Sequence, residues 1–598
     1  MIKSLWLNGV PLCGQTRRGY AAARSRWLLA AAAAALAGGP PAALAQEAPT
    51  AQQPTPAQPS LVAQQSTATQ QSATAGQSTA AQQPQEVIVT GTRLKLLPGM
   101  TTPTPVTSVP ASQIVSTGAG DLIEGLSLLP SLSDTVKPQT QDGGTTAGQG
   151  DYLNLRHLGQ VETLVLLDGV RVMPLNTANN VDVSMIPEAL VSRVDVVTGG
   201  ASAAYGSDAM AGVVNFILNT QFTGFKIDMG YGRSGVGDGS RDKLSMAWGA
   251  PLLDDRAHVV ASFDWLKGNT AYSNLRPWSN GHCAFINNPG VTSATQSATN
   301  PLDIRACGVT EPYASFGGAI TSGPLTTPAQ GISFGPGGIP EPFVYGADHT
   351  GAFQVGGTGD PVPVAEDFSF VNPRNDMTAF GHIVYDVSDH VQAFAQVMAG
   401  RSTAYYPETV SNFAQSRPFT IFSGNPFIPS SIQTEMTTLG VKSFSLGIDA
   451  LSWGLVNANE HEETYDALAG LNGTFGNGWS WQVHYDHGHT EWTMTQPNNP
   501  DLMNLYRSVD AVTAPNGTIA CESTLVNPAA YGNCVPTDVF GPGAASPQAL
   551  AYVMQGGSPL FDENTMVYND ATASINGAPF SLWAGPISFA FGIEWRQL

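Results

Sequence analysis

The sequence predicts a small mixed α+β domain followed by an antiparallel transmembrane β-barrel, which the small domain would plug. Three observations predict this fold class. Charged residues make up only 12% of the 598 residues, against about 25% in a typical soluble protein. No window holds the roughly 18 uninterrupted apolar residues of a spanning helix. A long C-terminal stretch alternates apolar and polar residues and is cut by connections that are short and long in turn.

The chain opens with the features of a secretory signal peptide at residues 1–45. A basic segment ends at Arg26, the apolar run Trp27–Ala37 follows, and Ala43-Leu44-Ala45 fits the small-x-small cleavage rule. Residues 46–85 are rich in Gln, Ala, Thr, Ser and Pro, so they cannot bury enough apolar surface to offset their ordering entropy. We therefore expect an exported protein with a disordered linker.

An abrupt change follows at Glu86-Val87-Ile88-Val89-Thr90, within the region 86–93. This segment of high β-propensity at the end of the linker is suited to adding a strand to the sheet of a partner, because such pairing rests on main-chain hydrogen bonds. The alternative is that it forms the first strand of the small domain. Composition alone leaves both interpretations open.

The small domain is predicted over residues 94–222. Pro110–Ile114 and Asp121–Leu129 are expected to be short helices, the second one ending at Pro130. Between Leu153 and Asn219, three apolar runs read as buried strands bounded by glycine-bearing turns, at Thr163–Leu167, Val194–Val197 and Val213–Leu218.

Residues 223–598 are predicted to form part of the barrel. In Ile587–Trp595, for example, the odd positions are apolar or aromatic and the even ones are small or polar, as expected for a lipid-facing and a lumen-facing side. Nine strands are expected near 225–232, 243–250, 257–267, 376–386, 391–402, 463–473, 479–493, 567–576 and 586–597. The long connections 268–375, 403–462 and 494–566 would all lie on one side, and short turns on the other.

Nine strands are an odd number, whereas single-chain bacterial barrels have an even number. A nine-stranded sheet would also leave two unpaired edges in the membrane. The sequence therefore predicts a C-terminally truncated barrel.

Five cysteines are present. Cys13 lies in the predicted signal peptide, and the remaining four permit three pairings. The local pairs Cys283/Cys307 and Cys521/Cys534 fit an oxidising compartment and would close two long connections. The alternatives are free thiols or a zinc site, although neither pair has the spacing of zinc ligands.

The formal net charge of −21 argues against nucleic acid as a partner, because nucleic acid is bound mainly by Lys and Arg. His484, His487 and His489 are clustered, but in a regular strand His484 would face away from the other two, which disfavours a metal site. No catalytic constellation stands out. We therefore predict a protein that is not an enzyme and has no cofactor or resident metal.

Taken together, these motifs resemble a TonB-dependent outer-membrane receptor. Glu86–Thr90 is similar to its TonB box. The segments LNLRHLGQVETLVLLDGVRV and IPEALVSRVDVVTGGASAAYGSDAMAGVVNFIL are similar to the two signature halves of its plug. The resemblance implies a 22-stranded barrel in the outer membrane of a Gram-negative bacterium, with long loops outside and the TonB box in the periplasm. It also implies import of a scarce small ligand, driven by TonB and its inner-membrane energising complex.

Two departures from the family pattern matter. The family often has Arg-Gly at the position of Arg156-His157, and Arg-Gly-Pro at the position of Thr198-Gly199-Gly200. Because Arg156 remains and Glu594 lies on the predicted lumen face, an Arg156–Glu594 pair is one hypothesis for a plug–barrel contact. The other is that lumen water solvates both side chains.

Function is left with one leading hypothesis and two alternatives. The first is active import, with a siderophore-type iron chelate and a carbohydrate both open as ligands. A secreted or surface β-rich adhesin or structural protein would not need Glu86–Thr90. An extracellular hydrolase would need clustered acids or a triad.

Overall fold

The computed structural model describes residues 104–133, 135–136, 150–175, 179–272, 275–276, 283–327, 330–347, 353–360, 369–410, 412–413, 417–476, 478–554, 560–583 and 585–598. The predicted signal peptide (1–45), linker (46–85) and strand-donating region (86–93), and residues 94–103 of the predicted small domain, lie outside these ranges. Within the ranges, no helix combines the length and the apolar character needed to cross a membrane.

The small domain contains a five-stranded sheet in the order β1-β4-β5-β2-β3. The strands are β1 Val106–Pro110, β2 Thr163–Leu167, β3 Val170–Arg171, β4 Val191–Val197 and β5 Gly212–Leu218. Every residue of β2 and β5 is buried, and these two strands pair in parallel. Strands covered on both faces are expected to be continuous apolar runs, so the three predicted strands are confirmed.

A tight turn joins β2 to β3. Asp168 and Gly169 both have positive φ, at 50° and 83°, and Leu167 pairs with Val170 across them. An Asp-Gly pair with positive φ at both positions is typical of a two-residue type I′ hairpin. The Asp168 carboxylate also accepts a hydrogen bond of 2.9 Å from the Leu218 amide of β5. This turn fixes the direction in which Arg171 leaves the sheet.

The described residues of the small domain also form three short helices: α1 Ala111–Val115, α2 Leu122–Leu126 and α3 Ser202–Tyr205. The Asp121 side chain caps α2 by accepting from the Glu124 amide at 2.6 Å. The helix predicted at 121–129 is three residues too long at its end, because the chain tightens into a 3-10 turn at Pro130–Leu132. Further 3-10 turns occupy Leu155–His157, Val183–Met185, Glu188–Leu190 and Ser207–Ala209.

The second part of the chain contains a nine-stranded antiparallel sheet, called here the large sheet. Its strands are β6 Gly224–Gly232, β7 Arg241–Leu252, β8 Ala257–Gly268, β9 Arg374–Ser388, β10 Val391–Val410, β11 Leu455–Phe475, β12 Trp479–Gln496, β13 Leu560–Leu582 and β14 Gly585–Gln597. Each pairs with the next along the chain. All nine predicted strands are therefore confirmed.

Several strands extend further than predicted on the side of the long connections. β10 ends at Val410 and β11 begins at Leu455, because the pairing of their backbones continues beyond the region of clear alternation. In the described part of the chain the sheet is open, since β6 pairs only with β7 and β14 only with β13. The closed barrel thus stays a prediction, as does its 22-strand size.

The two faces of the large sheet differ as the alternation predicts. On one face, Ala247, Val260, Phe380 and Met398 belong to the buried cluster that forms the core of the small domain. We call this the inner face. On the opposite, outer face, large apolar side chains are exposed, such as Ile593 at 72% and Trp595 at 55%. The small domain is therefore seated against the inner face.

The long connections form a layer with its own apolar core, called here the loop layer. Buried side chains from all three connections share one cluster, including Phe334, Phe419 and Phe540. Its helices are α4 Ser430–Leu439, α5 Leu502–Val509, α6 Glu522–Val526, α7 Pro528–Tyr531 and α8 Pro547–Val553. Its short strands are Ala271–Tyr272, Ala284–Asn287, Asp303–Ala306, Val309–Thr310, Ala319–Ile320, Gln330–Phe334, Pro340–Val344, Gln354–Val355, Ser369–Val371, Asn412–Phe413, Phe419–Phe422, Ser443–Leu446, Ile448–Asp449, Ala511–Thr513 and Ile519–Cys521.

Candidate functional site at the contact between the small domain and the large sheet

Arg171 is the central cation of the contact between the small domain and the last strand of the large sheet. It lies at the end of β3, and its side chain is 12% exposed. Its Nε donates to Glu594 Oε1 of β14 at 3.0 Å, and its Nη1 donates to Asp208 Oδ2 of the small domain at 2.9 Å. It also donates to the carbonyl oxygen of Tyr205. A guanidinium with several fixed acceptors is a strong positional anchor.

A second arginine closes this network from the side of the sheet. Arg596 Nη1 lies 3.1 Å from Asp208 Oδ2, so two cations and two carboxylates alternate across the contact. Burial alone would raise the pKa of Asp208, but the hydrogen bond from Ser207 and the charges of Arg171 and Arg596 hold that pKa below its usual value. Asp208 is therefore held as the anion.

These contacts correct one prediction from the sequence. Glu594 does make an ion pair with the small domain, but its partner is Arg171 and not Arg156. Arg156 lies in the 3-10 turn Leu155–His157, has a φ of 57°, and its side chain is exposed. The I′ turn at Asp168-Gly169 instead sends Arg171 towards β14, which sequence spacing does not reveal.

At the other end of the sheet the polarity of the contact is reversed. Arg241 and Lys243 of β7 provide the cations, and the small domain provides the acids. Arg241 Nη1 lies 2.7 Å from Glu124 Oε2, and Lys243 Nζ lies 2.5 Å from Glu188 Oε1. Burial raises the pKa of Glu188, and the neighbouring Lys243 ammonium opposes this effect. Both of these β7 cations are thus neutralised by acids of the small domain.

Arg374 of β9 makes the most deeply buried ion pair between the two parts among the residues that the structure describes. Its Nη1 lies 3.0 Å from Asp151 Oδ2 of the small domain, and its Nε lies 2.5 Å from Asp376 Oδ2 on the same strand. All three side chains are at most 6% exposed. Burial raises the pKa of Asp151, while Arg374 lowers it. Removing one partner from such a buried pair typically costs 3–5 kcal/mol.

Two glycines of the inner face make room for methionines of the small domain. A Cβ at Gly400 of β10 would collide with the Sδ of Met185, and one at Gly488 of β12 would collide with the Sδ of Met173. Both methionines are buried, at 3% and 5% exposure. Glycine in a strand interior often marks a close approach of another part of the protein, and here the approaching groups are flexible thioethers.

A cavity of about 40 Å³ remains between the two parts. Its polar lining includes Ser184 and Glu188 of the small domain and Lys243, Asp264 and Asp376 of the sheet. A water molecule needs roughly 10–15 Å³ measured in this way, so the cavity suits a few ordered waters. Ligand pockets are on the order of 300–1,000 Å³, so this cavity is not the site of a whole small-molecule ligand.

The other predicted site residues are placed as follows. Cys283 is bonded to Cys307, 24 residues apart, and Cys521 to Cys534, 13 residues apart. Both disulfides lie in the loop layer. The segment Glu86–Thr90 lies outside the described residues.

The histidine cluster does not converge on one point. His484 is buried on the inner face and His487 is exposed on the other. Among the described residues, no group of three or more His, Cys, Asp or Glu side chains is arranged to hold a metal ion.

Sequence reasoning missed most of the residues that make this contact: Arg171, Asp208, Arg241, Lys243, Arg374 and Arg596. One signal was available, because charged side chains on the lumen-facing register of a predicted barrel strand need a partner. Lys243 and Asp376 stand on that register. Their partners could not be named, because those residues come from turns of a separate domain.

Comparison with known proteins gives the family of the small domain. Residues 98–213 match the TonB-dependent Receptor Plug Domain. The chain is similar to the ferric enterobactin receptor PfeA from Pseudomonas aeruginosa, at 14% identity and a TM-score of 0.42, covering 83% of this chain and 49% of that one. The siderophore receptor PirA from Acinetobacter baumannii gives 11% identity and a TM-score of 0.39, covering 82% and 47%.

The ferric-catecholate import receptor Fiu from E. coli K12 is similar at 10% identity and a TM-score of 0.35, covering 83% of this chain and 66% of that one. The chain thus spans about half the length of the first two receptors. The family match covers β1 to β4, the first two residues of β5 and the turns that contact the large sheet. Over residues 98–213, this chain therefore carries the plug domain of a TonB-dependent receptor.

Proposed function

We propose that this protein imports a scarce small ligand across the outer membrane of a Gram-negative bacterium, driven by TonB. The plug would block the lumen at rest and move when TonB pulls on it. The energy would come from the inner-membrane complex that energises TonB. The long connections would lie outside the cell and bind the ligand together with the plug.

The observation that carries this proposal is how the plug is held. Its contacts with the inner face are non-covalent: ion pairs of both polarities, buried methionines and a cavity large enough for a few water molecules. Each ion pair is directional and separable, and polar groups left by a departing partner can be solvated by water. Interfaces between domains of one chain are more polar than obligate interfaces, and such domains are expected to move relative to each other.

The outer face supports a membrane location. Exposed apolar and aromatic side chains alternate with inward-facing polar ones along β12, where Val483 and Tyr485 are exposed while His484 and Asp486 are buried. In water, such a large exposed apolar surface would be a liability. In the outer membrane it would contact lipid, with aromatic residues such as Trp595 near the interfaces.

The proposed partner segment for TonB is Glu86–Thr90. It precedes the plug domain match by only a few residues, so a pull on it would be transmitted directly to the plug. Pairing by strand addition needs free backbone N–H groups and an extended chain. Proline removes an N–H and blocks the ladder.

The test is a Val87→Pro variant, with Val62→Pro in the linker as the matched control. We expect Val87→Pro to lose binding to the purified periplasmic domain of TonB and to lose TonB-dependent growth on the imported nutrient. Val62→Pro should retain both. Unchanged TonB binding by Val87→Pro would reject this segment as the TonB box.

A deletion of residues 86–90 separates import from the adhesin alternative. An adhesin or structural protein would keep its function after the deletion, whereas an importer would stay in the membrane and lose uptake. Measuring whether transcription rises on iron starvation or on a particular carbon source would show which nutrient to supply in these assays.

A further inference from the structure

The first two long connections of the large sheet meet at a cluster of three acids in the loop layer. The first connection, 269–373, provides Glu311 and Asp360, and the second, 411–454, provides Asp449. We call these three side chains, together with Asn412 of the second connection, the carboxyl junction. Asp449 is 4% exposed, and Glu311 and Asp360 are partly buried. The acids therefore lie at a contact between two segments that are distant in sequence.

A single amide group joins the two connections through their carboxyl groups. Asn412 Nδ2 donates to Glu311 Oε2 at 2.9 Å and to Asp449 Oδ1 at 2.5 Å. Both hydrogens of this nitrogen are thus directed at carboxyl oxygens, which brings an acid of the first connection close to an acid of the second. Because the amide is uncharged, it provides hydrogen bonds to the two acids without neutralising them.

The backbone places Asp360 beside the other two acids. The Glu311 amide donates to the Asp360 carbonyl oxygen at 3.0 Å, and a Cβ on Gly359 would lie only 1.9 Å from the Glu311 carbonyl oxygen. The Asp360 carboxyl accepts a hydrogen bond from the Phe316 amide. Its Oδ2 is buried and has no hydrogen-bond partner among the described residues. A buried acceptor without a donor is unfavourable, whereas a protonated carboxyl can itself donate.

The charges around the junction are those of its own acids. Asp449 and Glu311 are the charged groups that act on Asp360, and Glu311 is the one that acts on Asp449. Burial, followed by this like-charge repulsion, raises the pKa of Asp360 to about 8 and that of Asp449 to about 7. Burial also raises the pKa of Glu311. The closed junction therefore favours neutral, protonated carboxyl groups.

Backbone hydrogen bonds next to these acids hold the second connection against the first. The Asp449 amide donates to the Ser315 carbonyl oxygen at 3.1 Å. Ala319 and Gly447 exchange two further bonds, of 2.7 and 2.9 Å. These three bonds give the contact a direct readout, since each of their amides is protected only while the two connections are together.

The raised pKa values determine how the contact responds to pH. Solvated carboxyl groups have pKa values of about 3.9 for Asp and 4.3 for Glu, so the acids bind protons more tightly in the closed junction than in a parted one. The stabilisation that these protons give is complete below about pH 4. It is lost as the pH rises through about 7 and 8, the pKa values of Asp449 and Asp360.

We propose that the carboxyl junction is a proton-controlled latch: it holds the first two long connections together while its acids carry protons, and it releases them as those acids ionise. In an importer, this latch would make the opening of the loop layer depend on the pH outside the cell. The latch does not rest on the proposed import function, because it acts within the loop layer without ligand or TonB.

The test is hydrogen exchange of the purified receptor in detergent at pH 5.5 and pH 8, with each rate corrected for intrinsic exchange at that pH. A chelator is present, because a divalent cation on the three carboxylates would replace the protons. The reporters are the amides of Asp449 and Ala319. We expect their protection to fall at least roughly tenfold at pH 8, since one acid whose pKa differs by about three units between two states shifts their equilibrium by more than that.

The internal control is the Val441 amide, which donates to the Met436 carbonyl oxygen at 2.8 Å within the second connection. Its protection should be the same at both pH values. A pH effect on Val441 as large as that on the two reporters would show general loosening of the loop layer and would overturn the latch.

A double variant, Asp360→Asn with Asp449→Asn, keeps the shape and one acceptor oxygen of each side chain but cannot ionise. It should lose most of the pH dependence and retain at pH 8 the protection that the parent has at pH 5.5. The matched control combines Asp303→Asn with Glu435→Gln, which changes one exposed acid in each connection. This control should respond to pH as the parent does.

The proposal is overturned if the reporters are equally protected at both pH values, if their protection rises with pH, or if the double variant responds like the parent. Circular dichroism checks that the variants are folded. Should the double variant fail to fold, Asp449→Asn is measured alone, and a pH dependence identical to that of the parent overturns the latch. TonB binding and uptake do not enter these measurements, so the latch and the proposed function fail separately.

Discussion

Removing the charge of Glu594 should loosen the plug from the large sheet. The Glu594→Gln substitution keeps the size of the side chain and one acceptor oxygen, but it takes away the carboxylate that Arg171 contacts at 3.0 Å. Arg171 would keep Asp208, so the guanidinium would not be left without a counter-charge. The substitution therefore tests the contact between plug and sheet rather than the stability of the plug itself.

The size of this destabilisation follows from how deeply the Arg171–Glu594 pair is buried. Arg171 and Glu594 are 12% and 23% exposed, between a surface pair, which contributes about 0.2–1 kcal/mol, and a fully buried one, whose disruption costs about 3–5 kcal/mol. Because Asp208 remains as a partner, we expect the free energy that holds the plug against the sheet to fall by roughly 1–2 kcal/mol. This corresponds to roughly a 5- to 30-fold rise in the population with the plug released.

Hydrogen exchange of the Ala189 amide would measure this population in the native receptor, because this amide donates to Asp264 of the large sheet at 3.1 Å and loses that bond when the plug separates. Glu563→Gln on the exposed part of β13 is the control and should leave exchange unchanged. If Glu594→Gln exchanges no faster than this control, the Arg171–Glu594 pair does not hold the plug. If Arg156→Gln accelerates exchange instead, the original prediction from the sequence was correct.

Three further predictions follow from single residues. Gly400→Val should displace Met185 and destabilise the seated plug by roughly 1–3 kcal/mol in the same exchange assay, whereas Gly381→Val, whose added Cβ meets only Val397 at 3.4 Å, should have little effect. Burial raises the pKa of Asp168 to about 7, against about 3.9 in an unfolded chain. The folded plug therefore loses stability as the pH rises from about 4 to 7, because the unfolded chain releases this proton first. Asp168→Asn should remove that loss, so its unfolding temperature should exceed that of the parent at pH 8 but not at pH 4. Cys521→Ser should lower the stability of the loop layer by roughly 3 kcal/mol, since the disulfide to Cys534 closes a loop of 13 residues. Limited proteolysis between residues 521 and 534 should then become faster, and unchanged cleavage would contradict this prediction.

The sequence was informative wherever local patterns control structure. The run at β5 is buried on both faces and therefore reads as continuous apolar sequence, while β12 is buried on one face and reads as alternation. Asp168-Gly169 identifies its own turn, because only a few residue pairs tolerate positive φ at both positions. The lengths of the connections then placed all the long loops on one side.

The ends of the strands and the packing of the loop layer were harder to predict from the sequence. Pairing between β10 and β11 continues several residues past the predicted ends, because cross-strand hydrogen bonds do not depend on the pattern of side chains. The core of the loop layer joins three connections that are far apart in sequence. Its apolar residues show no sequence periodicity that would predict which of them are in contact.

By itself, the sequence determined the two-part architecture, the nine strands with their inner and outer faces, and the glutamate of β14 that contacts the plug. Those features follow from hydrophobic periodicity and turn chemistry, which act over a few residues. Only the tertiary structure decided that Arg171 is the partner of Glu594, that Gly400 receives Met185, and that Arg374 pairs with Asp151 and Asp376. These contacts join residues that are hundreds of positions apart, and their distances depend on how the plug is seated against the sheet.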